Sequence, residues 1–240
     1  MTLPLQQKLT IISLLLYWPA IFVLAHIPIP QLVYKAQVSD KTLHLVVYLI
    51  LVFLLWFAVS PDRRVNWRKA AVWWVFLIMA GYGGVDELLQ GCVGRSCDIR
   101  DFLANLVGVT GGLILFSFLT FWPALLAVTG ITIFCLTNLA RANLTELVPV
   151  TNAMFHLLAY AVFAILWIRQ IHPLLSKTSK LKRLITALAV PISLLLVVKL
   201  FSVISGRYFT IFDVIISGAG IAAVAVGYVF ICSKRLRRIH

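Results

Sequence analysis

The sequence predicts an all-α polytopic membrane protein, a bundle of about eight transmembrane helices built as two parallel four-helix repeats. Three observations predict it. Hydrophobic residues make up 62% of the 240-residue chain and charged residues only 12%, with a mean hydropathy of +1.00, a balance that excludes an ordinary soluble domain. The apolar residues fall in long stretches near the length of about 20 that a bilayer-spanning helix needs. The polar residues inside those stretches form one pattern that occurs twice at a constant spacing.

The first stretch, 10–26, follows Lys8 and in isolation resembles a secretory leader. Its repeat equivalent, 121–138, lies in mid-chain, and no small-x-small cleavage pattern follows Ala25, so 10–26 is expected to remain as a span. Stretches 43–59 and 70–90 flank a basic loop carrying Arg63, Arg64, Arg68 and Lys69. The fourth, 99–119, begins after the polar loop from Gln90 to Asp98, and with it the first repeat closes at about residue 120. The second repeat, 121–240, supplies 121–138, 152–169, 183–203 and 210–232. Helices in lipid show weak amphipathic periodicity, so length and flanking charge carry these assignments.

Threading the spans in order puts most of the 21 Lys and Arg on one side, including Lys8, the 63–69 loop, Lys177 to Arg183 and Lys234 to Arg238. By the positive-inside rule both termini are expected to be cytoplasmic. The net charge of +13 then reads as a topology signal and a contact with anionic membrane lipids. Nucleic-acid binding, the other use of a basic surface, has no recognisable module here.

The repeated pattern has an offset of 112 residues: His44 and Tyr48 recur as His156 and Tyr160, and Arg95, Asp101, Asn105 and Gly108 as Arg207, Asp213, Ser217 and Gly220. The copies have diverged selectively. Asp86, Glu87 and Gln90 of the first correspond to Val198, Lys199 and Ser202 of the second, which places the expected function in the first.

There the polar residues converge on one end of the helices. Tyr48 lies one turn from His44 on the same face. Asp86, Glu87 and Gln90 occupy the last turn of the third helix, and Asp98, Asp101, Asn105 and Gly108 form a stripe from the start of the fourth. Carboxylates near hydrocarbon are costly unless paired or hydrated, so ionisable residues there are functional candidates. For Asp98 and Ser96, helix capping is a sufficient explanation. Asp101 and Asn105 lie too deep for capping to account for both, although a buried amide also serves as interhelical glue.

Gly108 and Gly112 form a small-xxx-small pair that admits a close helix neighbour. Gly81, Gly83 and Gly84 read as close packing or a kink, because no strand precedes them as a phosphate loop would require. His44 can be a packed polar residue, a metal ligand or a proton shuttle; His156, with no acidic pair opposite, reads as structural. Cys92 and Cys97 flank Arg95 on the side expected to be oxidising and could close a small disulfide ring. With His44 and the carboxylates they could instead complete a mixed metal site. Cys135 and Cys232, within or at the end of spans, read as small apolar residues.

Together, Lys41-x-x-His44-x-x-x-Tyr48, Asp86-Glu87-x-x-Gln90, Arg95 and Asp101-x-x-x-Asn105-x-x-Gly108 resemble the VanZ-like family of bacterial membrane proteins. The resemblance spans roughly 36–120, with a degenerate copy over about 148–232. It departs from the family pattern in the Cys-flanked loop and in the second copy's missing acidic pair. It implies a multi-pass protein of the bacterial cytoplasmic (inner) membrane with a role in the cell envelope and glycopeptide tolerance.

The residues themselves suggest a chemistry. An arginine able to grip phosphate or carboxylate in two places and a histidine beside carboxylates suit an anionic lipid-linked substrate, a polyprenyl phosphate or peptidoglycan precursor. His44, Asp86, Glu87 and Asp101 are the expected catalytic residues of a membrane-embedded hydrolase or transferase, with His44 as general acid or base and the carboxylates tuning it. Tyr48, Gln90, Arg95 and Asn105 are the expected substrate contacts, and His44, Glu87 and Asp101 could hold a divalent metal. A lipid transporter or flippase, or a non-catalytic envelope scaffold, are the alternatives. Parallel repeats and a polar layer near one face count against transport.

Overall fold

A computed structural model of the chain describes residues 3–27, 35–93, 97–175 and 179–237. Among these the structure is helical, with nine α-helices and no strand. They are α1 (Leu5–His26), α2 (Asp40–Val59), α3 (Ala70–Cys92), α4 (Ile99–Phe118), α5 (Phe121–Thr137), α6 (Leu144–Leu147), α7 (Pro149–Leu175), α8 (Lys180–Ile204) and α9 (Ile211–Arg237). Seven are long and apolar enough to cross a membrane, so the expected polytopic helical bundle is found. The remaining expected span, 121–138, forms α5, an apolar helix of 17 residues. At 1.5 Å per residue it is about 26 Å long, at the short end of what crosses a hydrocarbon core of about 30 Å.

The chain forms two compact units, Met1–Tyr34 with Ser39–Val128, and Lys35–Val38 with Thr129–His240. The boundary falls inside α5.

In the first unit α2 packs against α1, α3 and α4. Lipid tails are as apolar as leucine, so these helices are held by close packing and hydrogen bonds more than by a hydrophobic drive. Glycine on α4 sets the closest approach. A β-carbon at Gly108 would lie 2.5 Å from the Leu45 carbonyl oxygen, and one at Gly112 would lie 2.7 Å from a Val52 methyl. The interior beneath is aromatic: Phe53, Phe57, Phe116 and Phe121 pack with ring centroids 5.3 to 5.7 Å apart across α2, α4 and α5. Trp56, Val72, Met79, Val109 and Leu113 complete it.

The end of this unit carrying the basic loop is tied down by specific bonds. Trp56 Nε1 donates to the Arg63 carbonyl at 3.0 Å, Trp67 Nε1 to Ser117 Oγ at 2.9 Å, and Gln6 Nε2 to Asp62 Oδ1 at 3.0 Å. α1 runs back along α2 as the peripheral helix, with Thr10 its one buried residue and the Tyr17 hydroxyl donating to the Val47 carbonyl at 3.3 Å.

In the second unit α9 packs against α7 and α8. Here a β-carbon at Gly220 would lie 2.6 Å from the Leu157 carbonyl oxygen. Ser179 caps α8 by accepting from the Lys182 amide, and Trp167 Nε1 donates to the Thr186 carbonyl at 2.9 Å.

Candidate functional site

The C-terminal end of α3 and the N-terminal ends of α2 and α4 meet at one end of the first unit, opposite the basic loop. A short connection fixes this: α3 ends at Cys92, and α4 starts after Asp98, whose side chain accepts from the Arg100 amide at 2.9 Å. That cap removes one orphan amide of the helix terminus, and its charge suits the helix dipole. The amide bond, aided by Lys41, holds the Asp98 carboxyl below its ordinary range.

His44 is at the centre. Its Nδ1 lies 3.0 Å from Asn105 Oδ1 and 3.8 Å from Glu87 Oε1, two acceptors on one edge of the ring. Both favour a proton on Nδ1, which leaves the Nε2 lone pair facing Asp40 Oδ1 at 3.8 Å. Asn105 is 1% exposed and Glu87 4%. Glu87 reaches α4 through Oε2, which accepts from the Asp98 amide at 3.3 Å, while Oε1 has no hydrogen-bond donor among the described residues.

Asp101 lies one turn before Asn105 on α4 and is also buried, at 4% exposed. Lys41 Nζ, on the more open side, donates to Asp101 Oδ1 at 3.3 Å and to Asp98 Oδ2 at 3.4 Å. One ammonium therefore serves both carboxylates.

Adjacent residues on a helix point about 100° apart, and α3 uses this to divide its acidic pair. Glu87 turns toward His44 and α4. Asp86 turns toward α1, accepting from Gln90 Nε2 at 3.0 Å and lying 4.0 Å from His26 Nε2. Tyr48 is buried between these groups, stacked on Tyr82 with ring centroids 5.9 Å apart. Gly83 leaves room for it, since a β-carbon there would meet the Tyr48 ring at 3.4 Å and Asn105 at 3.5 Å.

The structure thus brings His44, Tyr48, Asp86, Glu87, Gln90, Asp101 and Asn105 to one polar cluster. Arg95 and Ser96 lie outside the described residues. Cys92 and Cys97 are exposed and free in the structure, so the ring that their spacing would allow is not closed there. Cys97 is seated on Gly91, its β-carbon 3.3 Å from where a Gly91 side chain would begin. Of the residues that could hold a metal by sequence, His44, Glu87 and Asp101, Glu87 lies on the Nδ1 edge of the ring. The ligand atoms that converge belong to Asp40, His44 and Asp101, all within 4.8 Å of one another.

Three residues here were not expected from the sequence. Asp40 carried a signal, standing one helical turn before His44. Tyr82 and His26 carried none, because their roles depend on how α1 and α3 pack.

The corresponding place in the second unit is closed. Asp213 accepts from Asn152 Nδ2 at 2.6 Å, the Thr145 hydroxyl at 3.2 Å, and the Thr210 amide and hydroxyl, both at 2.8 Å. His156 is buried, stacked on Phe209 at 5.1 Å, with Nε2 3.9 Å from Asp213. Every strong acceptor position on this carboxylate is used within the protein, which is the pattern of a structural network.

The fold and the cluster define a multi-pass helical membrane protein with a buried acid–histidine site at one end of its first unit. Residues 6–122 match the VanZ/LLP1 family model, so this part of the chain is VanZ-like, within a multi-pass helical membrane protein. No curated protein and no solved structure matches it.

Proposed function

We propose that the first unit binds an anionic lipid-linked headgroup, of the polyprenyl phosphate or peptidoglycan-precursor class, at the extracytoplasmic face of the bacterial inner membrane. His44 acts on it as general acid or base in a hydrolase or transferase reaction. The observation that carries this reading is an apolar groove whose lining packs directly against residues of the polar cluster. The groove is lined by Leu14, Leu15, Trp18, Pro19, Phe22 and Tyr82. Its Tyr82 stacks on Tyr48, and its Phe22 packs tilted against His26 with ring centroids 4.3 Å apart, His26 facing Asp86. A hydrocarbon tail in the groove would carry its headgroup to the carboxylates and His44.

The basic loop at the opposite end supports the orientation, because Lys and Arg favour the cytoplasmic side. The hydrogen-bonded His44–Asn105 pair supports the acid–base role, since an oriented imidazole is what proton transfer requires.

The test is turnover of a defined polyprenyl phosphate or polyprenyl-linked precursor by the full chain in lipid nanodiscs. His44→Ala is expected to abolish turnover at normal membrane yield, and normal activity in that variant rejects the assignment. Labelled lipid that crosses reconstituted vesicles at a rate indifferent to His44→Ala would favour a transporter instead.

A further inference from the structure

We propose that Asp40, His44 Nε2 and Asp101 form a binding site for a divalent first-row metal cation. The candidate ligand atoms lie within 4.8 Å of one another, close enough to share one ion. Their chemistry is two carboxylate oxygens and one imidazole nitrogen, the mixed oxygen–nitrogen set of manganese or zinc rather than the all-oxygen set of calcium. This goes beyond the lipid reading, because the metal needs no lipid to bind.

The imidazole is presented as a ligand. Asn105 Oδ1 at 3.0 Å and the buried, otherwise unpartnered Glu87 Oε1 at 3.8 Å both face Nδ1 and hold the proton there. Metal-binding histidines are oriented in this way, with the second nitrogen donating to an amide or carboxylate. With the proton on Nδ1, Nε2 offers its lone pair toward Asp40 Oδ1 at 3.8 Å, a gap that a shared cation would fill.

The second unit supplies an independent comparison. Asn152 stands where Asp40 would fall at the repeat spacing, and its amide donates to Asp213 at 2.6 Å. That place is closed by an N–H donor. The first unit has a carboxylate instead, half-exposed at 46%, which gives an ion an entry path. Among the described residues Lys41 competes for Asp101, and Asp98 at 3.4 Å offers its ammonium a second resting place when an ion takes Asp101.

A cation held by Asp40, His44 Nε2 and Asp101 would supply positive charge for an anionic headgroup at this acidic cluster; with Nε2 as its ligand, it would replace the proton transfer assigned to His44. That last step rests on the proposed function; the binding site does not.

The experiment titrates Mn²⁺, with no lipid substrate added, into the detergent-solubilised full chain and counts bound ion by electron paramagnetic resonance, with Zn²⁺ as competitor. One saturable site is expected. Asp40→Asn, which copies the second unit's residue, is expected to abolish it while the protein keeps its melting temperature in the absence of metal. Asn105→Ala is expected to weaken binding about 10- to 100-fold by freeing the ring. If the wild-type chain shows no saturable site, the proposal fails. Unchanged binding in both Asp40→Asn and His44→Gln also overturns it. A chain that binds Mn²⁺ but no polyprenyl phosphate keeps this inference and loses the lipid reading, and the converse result separates them the other way.

Discussion

Asn105 Oδ1 lies 3.0 Å from His44 Nδ1, and this one pairing joins α4 to α2 and decides which ring nitrogen of the histidine is available. Both residues are buried, so neither can exchange its partner for water without opening the bundle. Asn105→Ala removes the near acceptor and leaves Nδ1 with Glu87 alone at 3.8 Å. A buried polar group left without its partner costs about 1–3 kcal/mol. The variant is expected to melt at lower temperature in detergent by a corresponding amount, and an unchanged melting curve would show that the pairing contributes nothing.

The α2–α4 contact should be far more sensitive to glycine replacement than neighbouring positions on the same helix. A β-carbon at Gly108 would stand 2.5 Å from backbone oxygen, which cannot rotate away, whereas one at Gly111 meets nothing within 4 Å. Overpacking of this kind costs about 1–3 kcal/mol, and relief would require the helices to separate. Gly108→Ala is expected to lower yield and thermal stability while Gly111→Ala is neutral or slightly stabilising. Equal behaviour of the two variants would contradict the close approach.

Much of this arrangement could be read in advance, because it depends on local periodicity. His44 and Tyr48 share a face at four-residue spacing, and Asp101, Asn105 and Gly108 form a stripe, so the depth of each group followed from helix geometry alone. The small residues at 108 and 112 announced the close helix contact in the same way. What sequence could not give was rotation between helices. The acidic pair looked like a unit, but the 100° step along α3 sends Asp86 to α1 and Glu87 to α4. Likewise Glu87 and Asp40 end on opposite edges of the His44 ring, a distinction that exists only once α2 and α3 are packed. The cysteine pair was open for a related reason: spacing set the loop size but not where Cys97 would sit, which is on Gly91.

Asp98 gives the site end a pH dependence whose sign is fixed. Its carboxyl is held below the ordinary aspartate value of 3.8 by the Arg100 amide and Lys41, so the folded state favours the charged form. A depressed acid contributes stability that is complete above the unfolded value and is lost as pH falls through the folded one. The melting-temperature gap between the wild type and Asp98→Asn is therefore expected to be constant near neutrality and to close as pH drops below 3.8. A gap that widens on acidification would reverse the assignment.

If the groove holds the tail of the substrate, filling it should discriminate by chain length. Leu15 lines the groove and is largely exposed, so Leu15→Trp adds bulk there without entering the packed core. The expected result is weaker binding of a long polyprenyl phosphate, by about tenfold for 1.4 kcal/mol of lost contact. Binding of a water-soluble short-chain analogue should be unchanged, since His44 and the carboxylates are untouched. Equal weakening of both ligands would mean that the substitution disturbed the polar cluster, and no weakening of either would remove the groove from the binding site.

The second unit's Asp213 network should behave as structure and nothing else. Asn152 donates the shortest of its bonds, and Asn152→Ala would leave a 2%-exposed carboxylate short of one strong donor while Thr145 and Thr210 remain. Hydrogen bonds to charged groups contribute about 1.5–3 kcal/mol, so a clear loss of thermal stability is expected. Headgroup binding, measured at a temperature where the variant is folded, should be that of the wild type, because the site proposed for it uses residues of the first unit alone. The decisive comparison is with Asp40→Asn, which makes the opposite prediction: stability retained and function lost. Parallel outcomes for the two variants would erase the division of labour between an open site built on Asp40 and a closed one built on Asn152.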